Sequence, residues 1–195
     1  MRIHSIARFL AVGLLLLGPA RFVSANLVTN SDFETGDFTG WTVTKAASGS
    51  AIGVNFGFGP DTTLGAFFGA TGHDFDAISQ NLATSPGAFY TLTFFYQVLT
   101  APSQSPDNHF RALFGGNVVY NNLNAISGYG TFTFHVHASG SLTTLEFEGY
   151  NPPGLDFLDN VSVTQSAPDA GSSVLLLGLA LVALLLVRPI LFAEC

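Results

Sequence analysis

The residue with the most demanding chemistry is a carboxylate near the end of the patterned part of the chain, Asp159. Phe157, Asp159, Val161 and Val163 alternate, so a strand through them places all four on one face, and the apolar members make it the expected core face. An ionised Asp is costly there unless it is paired or coordinates a cation, and Lys and Arg are scarce. Two alternatives stay open: Asp159 accepts backbone N–H groups in a turn, or a strand bulge points it outward. His135 and His137 share a strand face, as zinc or copper ligands do, but no third ligand is visible nearby and a wet face explains them equally well. His73-Asp74-Phe75-Asp76 has two carboxylates two apart, as calcium loops do, without the remaining positions of an EF-hand loop, and reads as a solvated loop. Glu146 and Glu148 share a face, but hydrolysis needs such carboxylates held in a cleft. Neither a Gly-x-Ser-x-Gly elbow nor a phosphate loop occurs. No catalytic residue is assigned, and the chain reads as a non-enzyme. Trp41, Phe95, Tyr120 and Tyr150, with Gln97 beside Phe95, could serve as flat platforms for sugar rings or simply pack in the core and rim. They define no carbohydrate-binding site by themselves.

The elements that must position these groups are strands. Residues 89–99 alternate clearly, with Tyr90, Leu92, Phe94, Tyr96 and Val98 on one face and Thr91, Thr93 and Gln97 on the other. In residues 131–137, Phe132, Phe134 and Val136 point in; in 142–149, Leu145 and Phe147 point in while Glu146 and Glu148 point out. Weaker strand patterns cover 41–45, 51–56, 64–70, 77–82, 109–114, 117–120 and 157–164, separated by turn residues. No window between residues 26 and 165 sustains helical spacing over three turns. Strands with one wet and one dry face need a second sheet over the dry side, so the fold class is all-β, an antiparallel β-sandwich.

Two apolar segments flank this domain of residues 26–165. Residues 1–25 have the parts of a secretory signal: Arg2 and Arg8, a short apolar run, and Val23-Ser24-Ala25 before a cut between Ala25 and Asn26. Residues 166–195 form a tail in which 174–187 contain only Leu, Val, Ala and Gly. At 1.5 Å per residue this run reaches about 21 Å, against a hydrocarbon core of roughly 30 Å. Between Asn26 and Ala167, eleven Asp and Glu face only Lys45 and Arg111. Such a surface repels phosphate backbones, which excludes nucleic acid as an expected partner. Cys195 is the sole cysteine, so no internal disulfide or Cys-based metal site is expected.

Pro168, Asp169, Gly171, Ser172 and Ser173, then the apolar run and Arg188, resemble the PEP-CTERM sorting signal in its Pro-Asp-x-Gly-Ser variant. A Pro-Asp motif just outside a hydrophobic span, with a positive charge to halt transfer, is the readable physics of such a tail. The departures are the short span, a single Arg and the ending Pro189–Cys195. The resemblance implies export by the Sec machinery and handling by an exosortase. It also implies passage through the inner membrane on the C-terminal helix, and delivery to the surface or extracellular matrix of a Gram-negative-type bacterium. A second stretch, from Asn26 through Asp32, Phe33 and Glu34 to Gly36, with Gly40-Trp41 following, resembles the opening of galactose-binding-like jelly-roll domains, carbohydrate-binding modules among them. Phe157-Leu158-Asp159-Asn160-Val161-Ser162-Val163 resembles their last strand. In such modules the first and last strands lie together and commonly hold a structural Ca²⁺. The resemblance thus implies Glu34 as a second carboxylate beside Asp159, with a backbone carbonyl near Asp32, hard oxygen donors that suit Ca²⁺. The expectation is a non-catalytic, exported surface or matrix protein associated with extracellular polysaccharide. The alternatives are a lectin-like module with a defined glycan site and a secreted hydrolase acting on glycosides.

Overall fold

Alternation becomes pairing in the computed structural model, which describes residues 24–60, 63–99, 107–124, 127–166 and 177–178. The signal segment before Ser24, the sorting residues Pro168, Asp169, Gly171, Ser172, Ser173 and Arg188, and nearly all of 174–187 lie outside the described residues. Among the described residues, no helix is long and apolar enough to cross a membrane.

The strands are β1 (Thr42–Thr44), β2 (Gly53–Phe56), β3 (Leu64–Phe68), β4 (Asp76–Ala83), β5 (Phe89–Leu99), β6 (His109–Phe114), β7 (Asn117–Leu123), β8 (Ser127–His137), β9 (Leu142–Tyr150) and β10 (Leu155–Gln165). They form two antiparallel sheets, β1-β4-β9-β6-β7 and β2-β3-β10-β5-β8. The inward residues of β5 and β9 are those the alternation assigned: Tyr90, Leu92, Phe94, Tyr96, Val98, Leu145 and Phe147 are all buried. Aromatic rings join the sheets across this core. Phe94 of β5 meets Phe147 of β9 edge-on at 5.1 Å, and Tyr96 stacks on Phe110 of β6 at 4.3 Å. Such pairs add about 0.5–1.5 kcal/mol each beyond the area they bury. Trp41 belongs to this core as well, 8 % exposed and stacked on Phe33 at 5.8 Å, which removes it as a sugar platform. Tyr120 packs among Phe94, Tyr96 and Phe132.

The strand β10 departs from simple alternation. Asp159 is opposite Phe95 and Ser162 opposite Thr93, so three steps along β10 match two along β5, with Asn160 at a left-handed φ of 50°. This is a β-bulge, and it reverses which side chains face inward. Leu158 lies in the core before it, and Val161 and Val163 after it. Phe157 and Asp159 therefore point to the opposite face from Val161 and Val163, which corrects the assignment of all four to one core face. Beyond Leu158 the place beside β10 is taken by the opening segment: Leu27 N donates to Val163 O at 2.9 Å and Val161 N to Ser31 O at 2.7 Å. Asn26 clamps the same strand, accepting from Val163 N and donating to Val161 O.

At the start of β10, Asp156 is completely buried. The Tyr96 hydroxyl donates to its Oδ1 at 2.7 Å and Asn151 Nδ2 at 3.4 Å. Burial outweighs these donors and pushes the carboxyl up to about 7. The folded chain then holds this proton up to about pH 7, whereas the unfolded chain releases it near the ordinary 3.8. Folding binds more protons between those values, so stability falls as pH rises through that window, by roughly 4 kcal/mol from this group. Asp37 acts in the opposite sense at lower pH, being held below the usual range by bonds from Thr39 and Thr35, but it is fully exposed. Urea unfolding at pH 4 to 7 is expected to show the decline, and Asp156→Asn to flatten it; an equal decline in the variant would assign the effect elsewhere.

Candidate functional site

Each sheet has an outer face, and side chains converge on both. On the first sheet, register places Thr44, Ala77, Glu148, Arg111 and Asn121 in one row across five strands, and Thr42, Ser79, Glu146 and Leu113 in the next. The residues from β1 and β4 are short, whereas Glu146, Glu148 and Arg111 from β9 and β6 are long and charged. Arg111 forms an ion pair with Glu148, and its guanidinium lies 4.4 Å above the Phe75 ring. Phe75 lies 5.3 Å from both Tyr150 and His109. His109 Nε2 shares a 2.6 Å hydrogen bond with Asn121 Oδ1. At the rim, His73 meets Asp107 at 3.2 Å and Tyr150 edge-on at 5.3 Å.

The electrostatics of this face are unusual for so acidic a chain. Burial raises the Glu148 carboxyl above its ordinary value, Arg111 opposes the shift, and Glu146 adds to it. Burial likewise raises the Tyr150 hydroxyl, helped by Asp107. The cluster thus offers aromatic surface, a fixed cationic fork, two carboxylates and an amide within one stretch of sheet. Glu146 and Glu148 do share a face as their spacing requires, but Glu148 is engaged by Arg111, an arrangement that fixes hydrogen-bonding groups in place.

The outer face of the second sheet carries Phe67, Phe157, Gln97 and Tyr129 in one row, and Asp159, Phe95 and Thr131 in the next. The connection after β2 folds over part of it. Phe58 stacks on Phe157 at 4.5 Å and meets Phe67 edge-on at 5.3 Å. Gly57 N donates to Thr63 O at 2.8 Å. Gly59 has no room for a Cβ, which would collide with Asp159 Oδ2 and come within 3.2 Å of Leu64 O. Beside this turn, Gly59, Pro60, Phe95, Gln97 and Tyr129 line a cavity of about 290 Å³.

These contacts bring Glu34 and Asp159 to the same neighbourhood. Glu34 Oε1 accepts from Leu64 N at 2.9 Å, while Asp159, only 1 % exposed, accepts from Asn160 N at 2.7 Å and borders Leu64 O through Gly59. Asp32 is exposed and its Oδ1 accepts from Glu34 N at 3.5 Å. Other pairings separate. Asp74 is exposed, but Asp76 is buried and accepts from Ala46 N at 2.9 Å. His135 and His137 are both exposed on β8, with His137 edge-on to Phe89 at 5.1 Å. Among the described residues, no three His, Cys, Asp or Glu side chains gather where they could hold a metal. Sequence reasoning passed over Tyr129, Phe75 and Asn121. The scarcity of cations was the usable signal for Arg111, since any carboxylate pair on a neighbouring strand would seek it.

No protein-family model matches the sequence, and no curated protein matches it. Solved structures match in fold. The xylan-binding CBM22-1 domain of Xyn10C from Paenibacillus barcinonensis superposes with a TM-score of 0.52 at 15 % identity, covering 74 % of this chain and 97 % of that one. TmCBM61, solved with β-1,4-galactotriose, gives 0.50 at 14 % identity, covering 73 % and 100 %. The enzymatically active domain of tailspike protein 4 from bacteriophage CBA120 gives 0.52 at 14 % identity over 72 % of this chain, which spans only 21 % of that structure. At these identities the likeness is one of fold: an antiparallel jelly-roll sandwich of the kind carbohydrate-binding modules use.

Proposed function

We propose that this is an exported, non-catalytic glycan-binding protein that uses the outer face of the β1-β4-β9-β6-β7 sheet. The observation that carries the reading is the Arg111–Glu148 pair beside Phe75 and His109, both held in place by the buried Tyr150. Sugars are recognised by aromatic faces against their C–H surfaces and by fixed polar groups on their hydroxyls. Here Thr42 and Thr44 are exposed and Ser79 half-buried alongside that cluster, and Glu146, Glu148 and Asn121 supply acceptors. The jelly-roll neighbours that bind xylan and galactotriose support the same reading. Affinity electrophoresis through gels containing neutral xylan, galactan or β-glucan tests it. At least one polysaccharide is expected to retard the protein, and Arg111→Met with Glu146→Ala to weaken that retardation about tenfold or more. Unretarded migration in every gel would overturn the reading.

A structural Ca²⁺ belongs to this proposal. Glu34, Asp159 and the Leu64 carbonyl are hard oxygen donors around one turn, and a buried carboxylate in a domain with two cations gains from a bound divalent ion. A ligand that binds only the folded state raises its stability by about 2.7 kcal/mol at a hundredfold excess over Kd. The melting temperature is therefore expected to rise by several degrees from EDTA to millimolar calcium, and Asp159→Asn to abolish the rise. Identical melting curves in the two buffers would remove the ion.

Delivery to the cell surface or matrix completes the reading, supported by the paired signal and PEP-CTERM-like segments of the sequence. Cleavage before Asn26 would leave that residue's clamp on Val161 and Val163 intact and, among the described residues, give up the bond from Gln165 N to Ser24 Oγ. Mass spectrometry of the native protein should find Asn26 as the first residue and a C-terminus trimmed in an exosortase-dependent way. An unprocessed chain from Met1 to Cys195 would exclude both steps.

A further inference from the structure

The second outer face has an opening that the described residues leave unfilled. The turn after β2 places Phe58 on Phe157 and Phe67, and Gly59 against Asp159, and then Pro60 forms a wall short of β5 and β8. Phe95 is the floor of the resulting cavity, 6 % exposed. Gln97 stands beside it on β5, and Tyr129 rises on β8 directly opposite Gln97, 79 % exposed. Tyr129 is diagonal to Phe95, a spacing at which two rings border one ligand. No ring contact involves Tyr129 among the described residues.

We propose that this cleft is a second sugar site, taking one or two neutral sugar residues against Tyr129 and Phe95 with Gln97 bonding a hydroxyl, so that one molecule holds two glycan chains. The size follows from the volume of about 290 Å³, at the low end of the roughly 300–1,000 Å³ of ligand pockets. Neutrality follows from charge. Lys45 and Arg111 are the only cations between Asn26 and Ala167; Arg111 is paired on the other sheet and Lys45 directly follows β1 of that sheet. The second function, bridging, follows from position. The two sites lie on the outer faces of the two sheets, which themselves stack about 10 Å apart with the aromatic core between them, so a single extended glycan cannot lie across both. Bridging rests on the glycan reading of the first face; the cleft itself does not.

NMR titration of the full-length protein with xylohexaose, β-1,4-galactotriose and cellohexaose separates these claims. Two saturable events are expected. One perturbs Gly59, Phe95, Gln97 and Tyr129 and weakens about tenfold or more in Tyr129→Ala and in Gln97→Ala. The other perturbs Phe75, His109 and Arg111 and weakens in Arg111→Met. Tyr129 is exposed, so an unchanged melting temperature in Tyr129→Ala verifies the fold. A response confined to the Arg111 face would overturn the cleft and leave the proposed function standing. A response confined to the cleft would keep this site and overturn the placement on the first sheet, and with it bridging. No response to any of the three sugars would overturn both.

Discussion

The bulge in β10 is the constraint on which both faces of the second sheet depend. Three residues of β10 span the distance of two on β5, and Asn160 absorbs the difference at a left-handed φ. Without that extra residue, a strand that buries Val161 and Val163 would also carry Phe157 and Asp159 into the sandwich. A carboxylate would then take the place of Leu158 in the core. With it, Leu158 stays in the core, while Phe157 becomes the platform on which Phe58 stacks and Asp159 the anchor against which Gly59 closes. The turn that forms one wall of the Tyr129 cleft is therefore positioned by an irregularity in a different strand. The same irregularity is where β3 gives way to the opening segment as the neighbour of β10, which draws Glu34 toward Leu64.

Charge imposes the second constraint. With two cations in the domain, the placement of each is consequential, and Arg111 lies on the central strand of three whose outer faces carry Glu146, Glu148 and Asn121. Its stacking on Phe75 and pairing with Glu148 immobilise a side chain that would otherwise lose about 2 kcal/mol of rotamer entropy on binding a ligand. Preorganisation of this kind lowers the cost of association more than extra contact area does. Asp156 and Asp76 show the other solution to buried acidity. Neither has a cation; one is pushed toward the neutral acid, and the other accepts from a backbone N–H.

Much of the scaffold was legible because its strands alternate. Residues 89–99, 131–137 and 142–149 could be oriented from their side chains alone, and the two antiparallel sheets follow from their one-sided apolarity. The phase of β10 was not legible, because both phases place apolar residues inward until the bulge is located, and Asn160 signals it only weakly. Trp41 and Tyr120 could not be placed for a related reason: in a chain with 19 Phe, ring type says little about exposure. Tyr129 lies between two glycines in a segment whose pattern begins only at Thr131, so its face could not be read until β8 paired with β5 over eleven residues. Phe75 is clear only through its partners, since Arg111 and Tyr150 come from strands far away in sequence.

The two outer faces differ in a way that bears on what each can hold. Away from the cleft, the β5–β8 surface is hydroxylic and self-satisfied: Thr93 bonds Thr133 at 3.2 Å, and Thr91 bonds Ser166 at 3.3 Å. Hydroxyls engaged with each other present little to a ligand, and β-branched side chains make a flat surface, so the proposed site on this sheet is limited to the end where Phe95, Gln97 and Tyr129 interrupt the Thr pattern. The first sheet has polar side chains along two consecutive rows and short residues beside them, which suits an extended chain. A long site on one face and a short site on the other would give unequal affinities, since each additional sugar residue brings its own ring face and hydroxyls. Such an inequality would favour the proposed bridging: the stronger face would remain occupied while the weaker one sampled neighbouring chains, and glycans tied in this way would hold together yet rearrange under load.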